Sequence, residues 1–80
     1  MKLPRDVSGI ELAHKLRRLG YQPLHQSGDH LKCRTERDGR HTEPIPLHRA
    51  LKVGTLAGIL RRIAAHHHLD VETLIKMLEL

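Results

Sequence analysis

The feature that most constrains this chain is a double change of hydrophobic period. Leu12, Leu16 and Leu19, with Ala13 beside them, recur at helical spacing. From Tyr21 the period drops to two, and Leu56, Ile59, Leu60 and Ile63 then return to the i, i+3, i+4, i+7 pattern. A chain that reads helix, strands, helix buries its stripes most economically by laying the helices on one face of a sheet. Eighty residues support one such core and little more. The expectation is a single domain over residues 1–80 of α+β class. It is a two-layer sandwich in which a three-stranded antiparallel sheet carries helices on one face, in the order α-β-β-β-α plus a C-terminal helix.

Local signals set the boundaries. Ser8-Gly9-Ile10-Glu11 has the form of a capping box, and Gly20 is placed as the stop, so the first helix runs from Gly9 to Leu19. Tyr21 to Gln26 reads as a strand in which Pro23, lacking an amide donor, marks an edge or a bulge. Ser27-Gly28-Asp29 is turn chemistry, and His30 to Thr35 then alternates: Leu31, Cys33 and Thr35 point one way, His30, Lys32 and Arg34 the other. Asp38-Gly39 is a hairpin signal that returns the chain into Arg40 to Pro46, a strand made short or irregular by Pro44 and Pro46. Thr55 is expected to cap the second helix, with Arg61 and Arg62 off its apolar stripe and solvated. His66-His67-His68 closes that helix. Asp70 caps a last one carrying Val71, Leu74, Ile75 and Leu78.

Composition narrows the partners. Fourteen Lys and Arg against nine Asp and Glu leave a charge of +5, which with eight histidines points to an anionic partner, nucleic acid first. Tyr21 is the one aromatic residue of the Phe, Trp and Tyr set, so base-stacking platforms are excluded and contact with RNA must be electrostatic and shape-based. The single cysteine, Cys33, can form neither an internal disulfide nor a thiolate cluster and packs as a small hydrophobe. With no run of about 18 apolar residues and a charged start in place of an apolar signal region, the chain reads as cytoplasmic, with no membrane partner.

Two constellations carry chemistry. Strand alternation puts His30, Lys32 and Arg34 on one exposed face, an imidazole beside two cations. Cleavage of RNA needs a base for the 2′-hydroxyl proton, an acid for the leaving 5′-oxygen and positive charge for the phosphorane, and that trio supplies them. Read plainly, the same trio is a solvated sheet face. Lys52-Val53-Gly54-Thr55 sets a lysine and free amides at a helix start, which suits a phosphate and equally suits a simple helix start. His66, His67 and His68 point about 100° apart on a helix and cannot share one metal ion, so neither a metal nor a cofactor is expected.

The segments Ser8-Gly9-Ile10-Glu11-Leu12, Leu16-Arg17-Arg18-Leu19-Gly20-Tyr21, Ser27-Gly28-Asp29-His30, Ile45-Pro46-Leu47-His48 and Lys52-Val53-Gly54-Thr55-Leu56 resemble, in order and spacing, the HicA (YcfA-like) toxins of bacterial type II toxin–antitoxin systems. The resemblance implies a fold similar to the double-stranded RNA-binding domain. It also implies a ribosome-independent endoribonuclease that cleaves mRNA, neutralised by an antitoxin of the HicB family in a heterotetramer or larger complex. The family's catalytic histidine lies in a Gly-Ser-His motif, here Gly28-Asp29-His30, so the catalytic role falls on His30, with Gly28, Lys32, Arg34 and Lys52 as the phosphate-binding set. The chain departs from the pattern at Asp29, where the family has a small hydroxyl residue, and at Leu31, where many members have a second histidine. Asp29 either orients His30 or opposes the phosphate. The competing class is a non-catalytic module that binds structured RNA or an acidic partner.

Overall fold

The computed structural model describes residues 2–80. Helix α1 spans Gly9–Lys15, opened by the Ser8 hydroxyl, which accepts the Glu11 amide at 3.0 Å. The single helix expected to Leu19 tightens at Leu16, and Leu16–Leu19 form a 3₁₀ turn. Gly20 then takes φ +82°, the left-handed conformation that lets the Tyr21 amide reach back to the Leu16 carbonyl.

Strands β1 (Gln22–Ser27), β2 (His30–Thr35) and β3 (His41–Pro46) form one antiparallel sheet in that order. β1 starts one residue later than expected because Tyr21 turns into the core and is fully buried. Its pairing with β2 slips between Pro23 and His25, a bulge where the proline cannot donate. β3 keeps Pro44 and Pro46 because it is the opposite edge.

Helix α2 spans Val53–His66 and α3 spans Val71–Leu78. The cap expected at Thr55 lies three residues too late. Leu51 is anchored by its amide on the Val7 carbonyl, and Lys52, extended, accepts the first helical bond from Leu56 through its own carbonyl. α3 starts as expected, with the Asp70 carboxylate accepting the Thr73 amide at 2.7 Å.

Leu12, Leu16, Ile45, Leu56, Leu60 and Ile63 are buried between the helices and the sheet, and each contributes roughly 1.5–3 kcal/mol by leaving water. Leu74 and Leu78 join them, so α3 closes the core instead of offering a free face. Lys15 Nζ donates to the Glu79 carbonyl, and Arg18 donates to the Met77 carbonyl and the Glu79 carboxylate, tying the end of α3 to the first helix. The shortest dimension, 17 Å, is two layers thick.

Candidate active site on the open sheet face

Cross-strand register decides which side chains share the helix-free face. Ser27, His30 and Pro46 lie opposite one another, then His25, Lys32 and Pro44, then Gln22, Arg34 and Thr42. The alternation therefore places His30, Lys32 and Arg34 on that open face, while Leu31, Cys33 and Thr35 turn toward the helices. Lys32 is exposed and makes no ion pair among the described residues. Arg34 differs from the expected free cation: its Nε stands 3.2 Å from Glu36, which Arg40 also holds at 3.3 Å. Part of its charge is thereby already answered.

Three segments meet at the start of β2. The Asp29 carbonyl accepts the Leu47 amide at 2.6 Å, and the Gly9 amide donates to the His48 carbonyl at 3.0 Å. The approach of α1 to this corner is so close that a Cβ at Gly9 would stand 1.8 Å from the Pro46 carbonyl oxygen. At the same corner the Asp29 carboxylate faces two imidazoles, His30 Nδ1 at 2.9 Å and His48 Nε2 at 3.0 Å. The hydrogen bond from His48, and then the charge of His30, hold the Asp29 carboxyl below the usual carboxylate range. An ionised carboxylate only accepts, so His48 donates to it from Nε2, while His30 stands against the other carboxylate oxygen at ion-pair distance without a hydrogen bond. Of these two contacts, the one between His48 and Asp29 joins residues nineteen apart in the chain, which no local spacing signals.

Gly28 has φ +60° and open space around it, so glycine serves the turn there. Lys52 sits at the N-cap of α2 with no side-chain capping bond, and no acidic residue occupies that helix's first turn. On the other side of β2, facing the helices, Ile10, Ala13, His14, Arg17, Pro23 and Leu31 line a groove of about 170 Å³.

The far end of the sheet holds a polar cluster. The buried Tyr21 hydroxyl lies 2.7 Å from His41 Nδ1 and 3.2 Å from His67 Nε2, and His67 Nδ1 contacts Asp38 at 2.9 Å. His66 stacks on His41 with ring centroids 4.8 Å apart. Arg62, exposed as expected, also donates through Nε and Nη2 to the buried Glu43 carboxylate at 2.8–3.2 Å. Burial raises the Tyr21 hydroxyl pKa and lowers that of His41. The one available signal was the alternation of β3, which turns His41 and Glu43 to the same side as Ile45. No buried side-chain polar atom among the described residues lacks a partner, so the cluster is a satisfied structural network.

The family model described as the HicA toxin of bacterial toxin–antitoxin systems matches residues 9–64. The chain belongs to the HicA toxin family. No curated protein and no solved structure matches it. The matched stretch of this HicA chain runs from the start of α1 almost to the end of α2, and it contains Gly28, Asp29, His30, Lys32, Arg34, His48 and Lys52. Only α3 lies wholly beyond it. The family makes the chain the toxin of a toxin–antitoxin pair, which implies an antitoxin partner. Among the described residues, no helix is long and apolar enough to cross a membrane, and no three His, Cys, Asp or Glu side chains are grouped to hold a metal ion.

Proposed function

We propose that this HicA chain is an mRNA endoribonuclease whose catalytic residue is His30, and that a HicB-type antitoxin silences it by covering the open sheet face. The observation that carries the reading is His30 itself: an exposed imidazole, 2.9 Å from the Asp29 carboxylate, on the same face as Lys32 and Arg34. In the reaction the 2′-oxygen of a ribose attacks the adjacent phosphorus, the 2′-hydroxyl proton passes to a base, the bond to the 5′-oxygen breaks and that oxygen receives a proton. His30 Nε2 takes part in one of those transfers. Lys32, Arg34, Lys52 and the Gly28 amide hold phosphates and answer the negative charge of the phosphorane. Imidazole and fixed cations between them supply what the step requires, so cleavage proceeds in excess EDTA.

The second reading is binding without turnover. It is favoured by Asp29, which sets a negative charge beside the phosphate. Cleavage of a long unstructured RNA by the wild type and His30→Ala in EDTA separates the two. The nuclease reading expects about 10²–10⁴-fold less cleavage from the variant at an unchanged melting temperature. Equal cleavage by both proteins overturns the assignment of His30, and RNA bound without fragments by a folded wild type establishes the binding module.

A further inference from the structure

The Asp29 carboxylate does not serve His30 alone. It accepts a hydrogen bond from His48 Nε2 at 3.0 Å through one oxygen and holds His30 Nδ1 at 2.9 Å, an ion-pair distance, against the other. His48 therefore holds a proton on Nε2 toward Asp29 and keeps Nδ1 for exchange, and on His30 it is Nε2 that lies on the ring edge away from the carboxylate. The two rings are brought together from distant parts of the chain, and the backbone is fastened on both sides of the junction, Leu47 amide to Asp29 carbonyl and Gly9 amide to His48 carbonyl. Stability alone is a poor reason for the arrangement. Both imidazoles and the carboxylate are more than half exposed, and exposed pairs of this kind contribute about 0–1 kcal/mol.

Cleavage moves two protons, one off the 2′-oxygen and one onto the 5′-oxygen. Of the side-chain types gathered at this corner, imidazole is the one suited to exchange protons near neutrality. We propose that His48 is a second catalytic residue, which makes the proton transfer His30 does not make, and that Asp29 is the positioning residue that holds both rings at this corner. The inference rests on the nuclease reading above and deepens it. As the 2′-oxygen–phosphorus bond forms and the phosphorus–5′-oxygen bond breaks, one imidazole gains a proton and the other gives one up. The pair leaves the step with its roles exchanged and its total proton count unchanged. His25, an exposed imidazole beside Lys32 on the same face, has no contact with Asp29 and takes no part.

The test measures cleavage rates across pH for wild type, His30→Ala, His48→Ala, His48→Gln, Asp29→Asn and the control His25→Ala. Two substrates are used, a short RNA and a ribonucleoside 3′-(4-nitrophenyl phosphate), whose leaving group needs no acid. On RNA, His48→Ala and His48→Gln lose about 10²–10⁴-fold and each removes one limb of a bell-shaped pH profile, while His25→Ala behaves as wild type. Asp29→Asn loses activity on RNA as well, because a carboxamide can still accept from His48 but carries no charge to hold His30 beside it. On the nitrophenyl substrate only one of His30→Ala and His48→Ala recovers, which names the acid. Wild-type rates and an unchanged pH profile in both His48 variants overturn the inference and leave His30 standing, as does activity lost with no change in the profile. A wild type that cuts neither substrate overturns this inference together with the reading beneath it.

Discussion

Removing the Arg62 guanidinium should destabilise the fold strongly and in a pH-dependent way. Glu43 points inward from β3 at 1% exposure, and its donors are Arg62 Nε and Nη2 from α2. Arg62→Met keeps the aliphatic stem and deletes the donors. A buried carboxylate stripped of its partner costs about 3–5 kcal/mol. That cost has a ceiling, because the acid can escape by taking up a proton; from an ordinary Glu value of about 4.3 to pH 7, at about 1.4 kcal/mol per unit, the ceiling is about 3.7 kcal/mol. His41 Nε2, 3.5 Å from Glu43, offers partial compensation. The expectation is a loss of about 2–4 kcal/mol at pH 7, which for a domain of this size lowers the melting temperature by roughly 10–30 °C. The sign follows from linkage. An unpaired buried carboxylate favours its neutral form more than the same group in the unfolded chain does, so the gap to wild type narrows as pH drops toward about 4.3. Thermal unfolding at pH 7 and pH 4.5 measures both quantities. A drop below about 3 °C at pH 7, or a gap that does not change with pH, refutes the reasoning. Glu43→Gln in the Arg62→Met background should recover most of the loss, since no charge is then buried alone.

The other predictions use the same cluster and the open face. Tyr21→Phe removes the hydroxyl that meets His41 and His67 and should cost about 1–3 kcal/mol in denaturant unfolding; a change within error would make those contacts energetically empty. Burial depresses the pKa of His41, with Arg62, His66 and His67 acting in the same direction and Glu43 against them. Its contribution is therefore complete above the unfolded value of about 6.5 and is lost as pH falls through the folded value. Asp29, Asp38 and Asp70 lie below their ordinary range, so their contributions persist above about pH 4 and fade only in stronger acid. Melting curves should therefore show a first decline as pH falls below about 6.5 that His41→Gln flattens, and a second below about pH 4 that it does not. Lys32→Ala should reduce the slope of log RNA affinity against log salt by about 0.7, and Arg34→Ala by less because Glu36 already neutralises part of its charge; equal slopes for all three proteins would remove the open face from the binding site.

Element order and face were legible because period carries them. The two-residue alternation of His30 to Thr35 is local, and it set His30, Lys32 and Arg34 on one side before any tertiary contact was known. Boundaries fared less well wherever a distant contact overrode a local signal. Thr55 is a good capping residue, but the anchored Leu51 starts α2 earlier. Arg62 sits off the apolar stripe and stays exposed as its spacing indicates, but its partner Glu43 comes from another element. The site divides along the same line. The strand-two trio is a matter of spacing, whereas the meeting of His48 with Asp29 depends on how the connection after β3 folds back over the β1–β2 turn, and no spacing rule encodes a separation of nineteen residues. Glu36 beside Arg34 was within local reach, since the two stand two residues apart at the end of β2.

The central claim is that a histidine site on the open face cleaves RNA by transferring protons around a 2′-oxygen attack. The measurement that bears on it most directly is the chemistry of the ends left on fragments of an RNA cut by the wild-type protein in excess EDTA. The account predicts 2′,3′-cyclic phosphates opposite free 5′-hydroxyls, because the 2′-oxygen is the nucleophile and the 5′-oxygen leaves protonated. Fragments that carry 5′-phosphates and 3′-hydroxyls, or that form only when a divalent cation is restored, would contradict it.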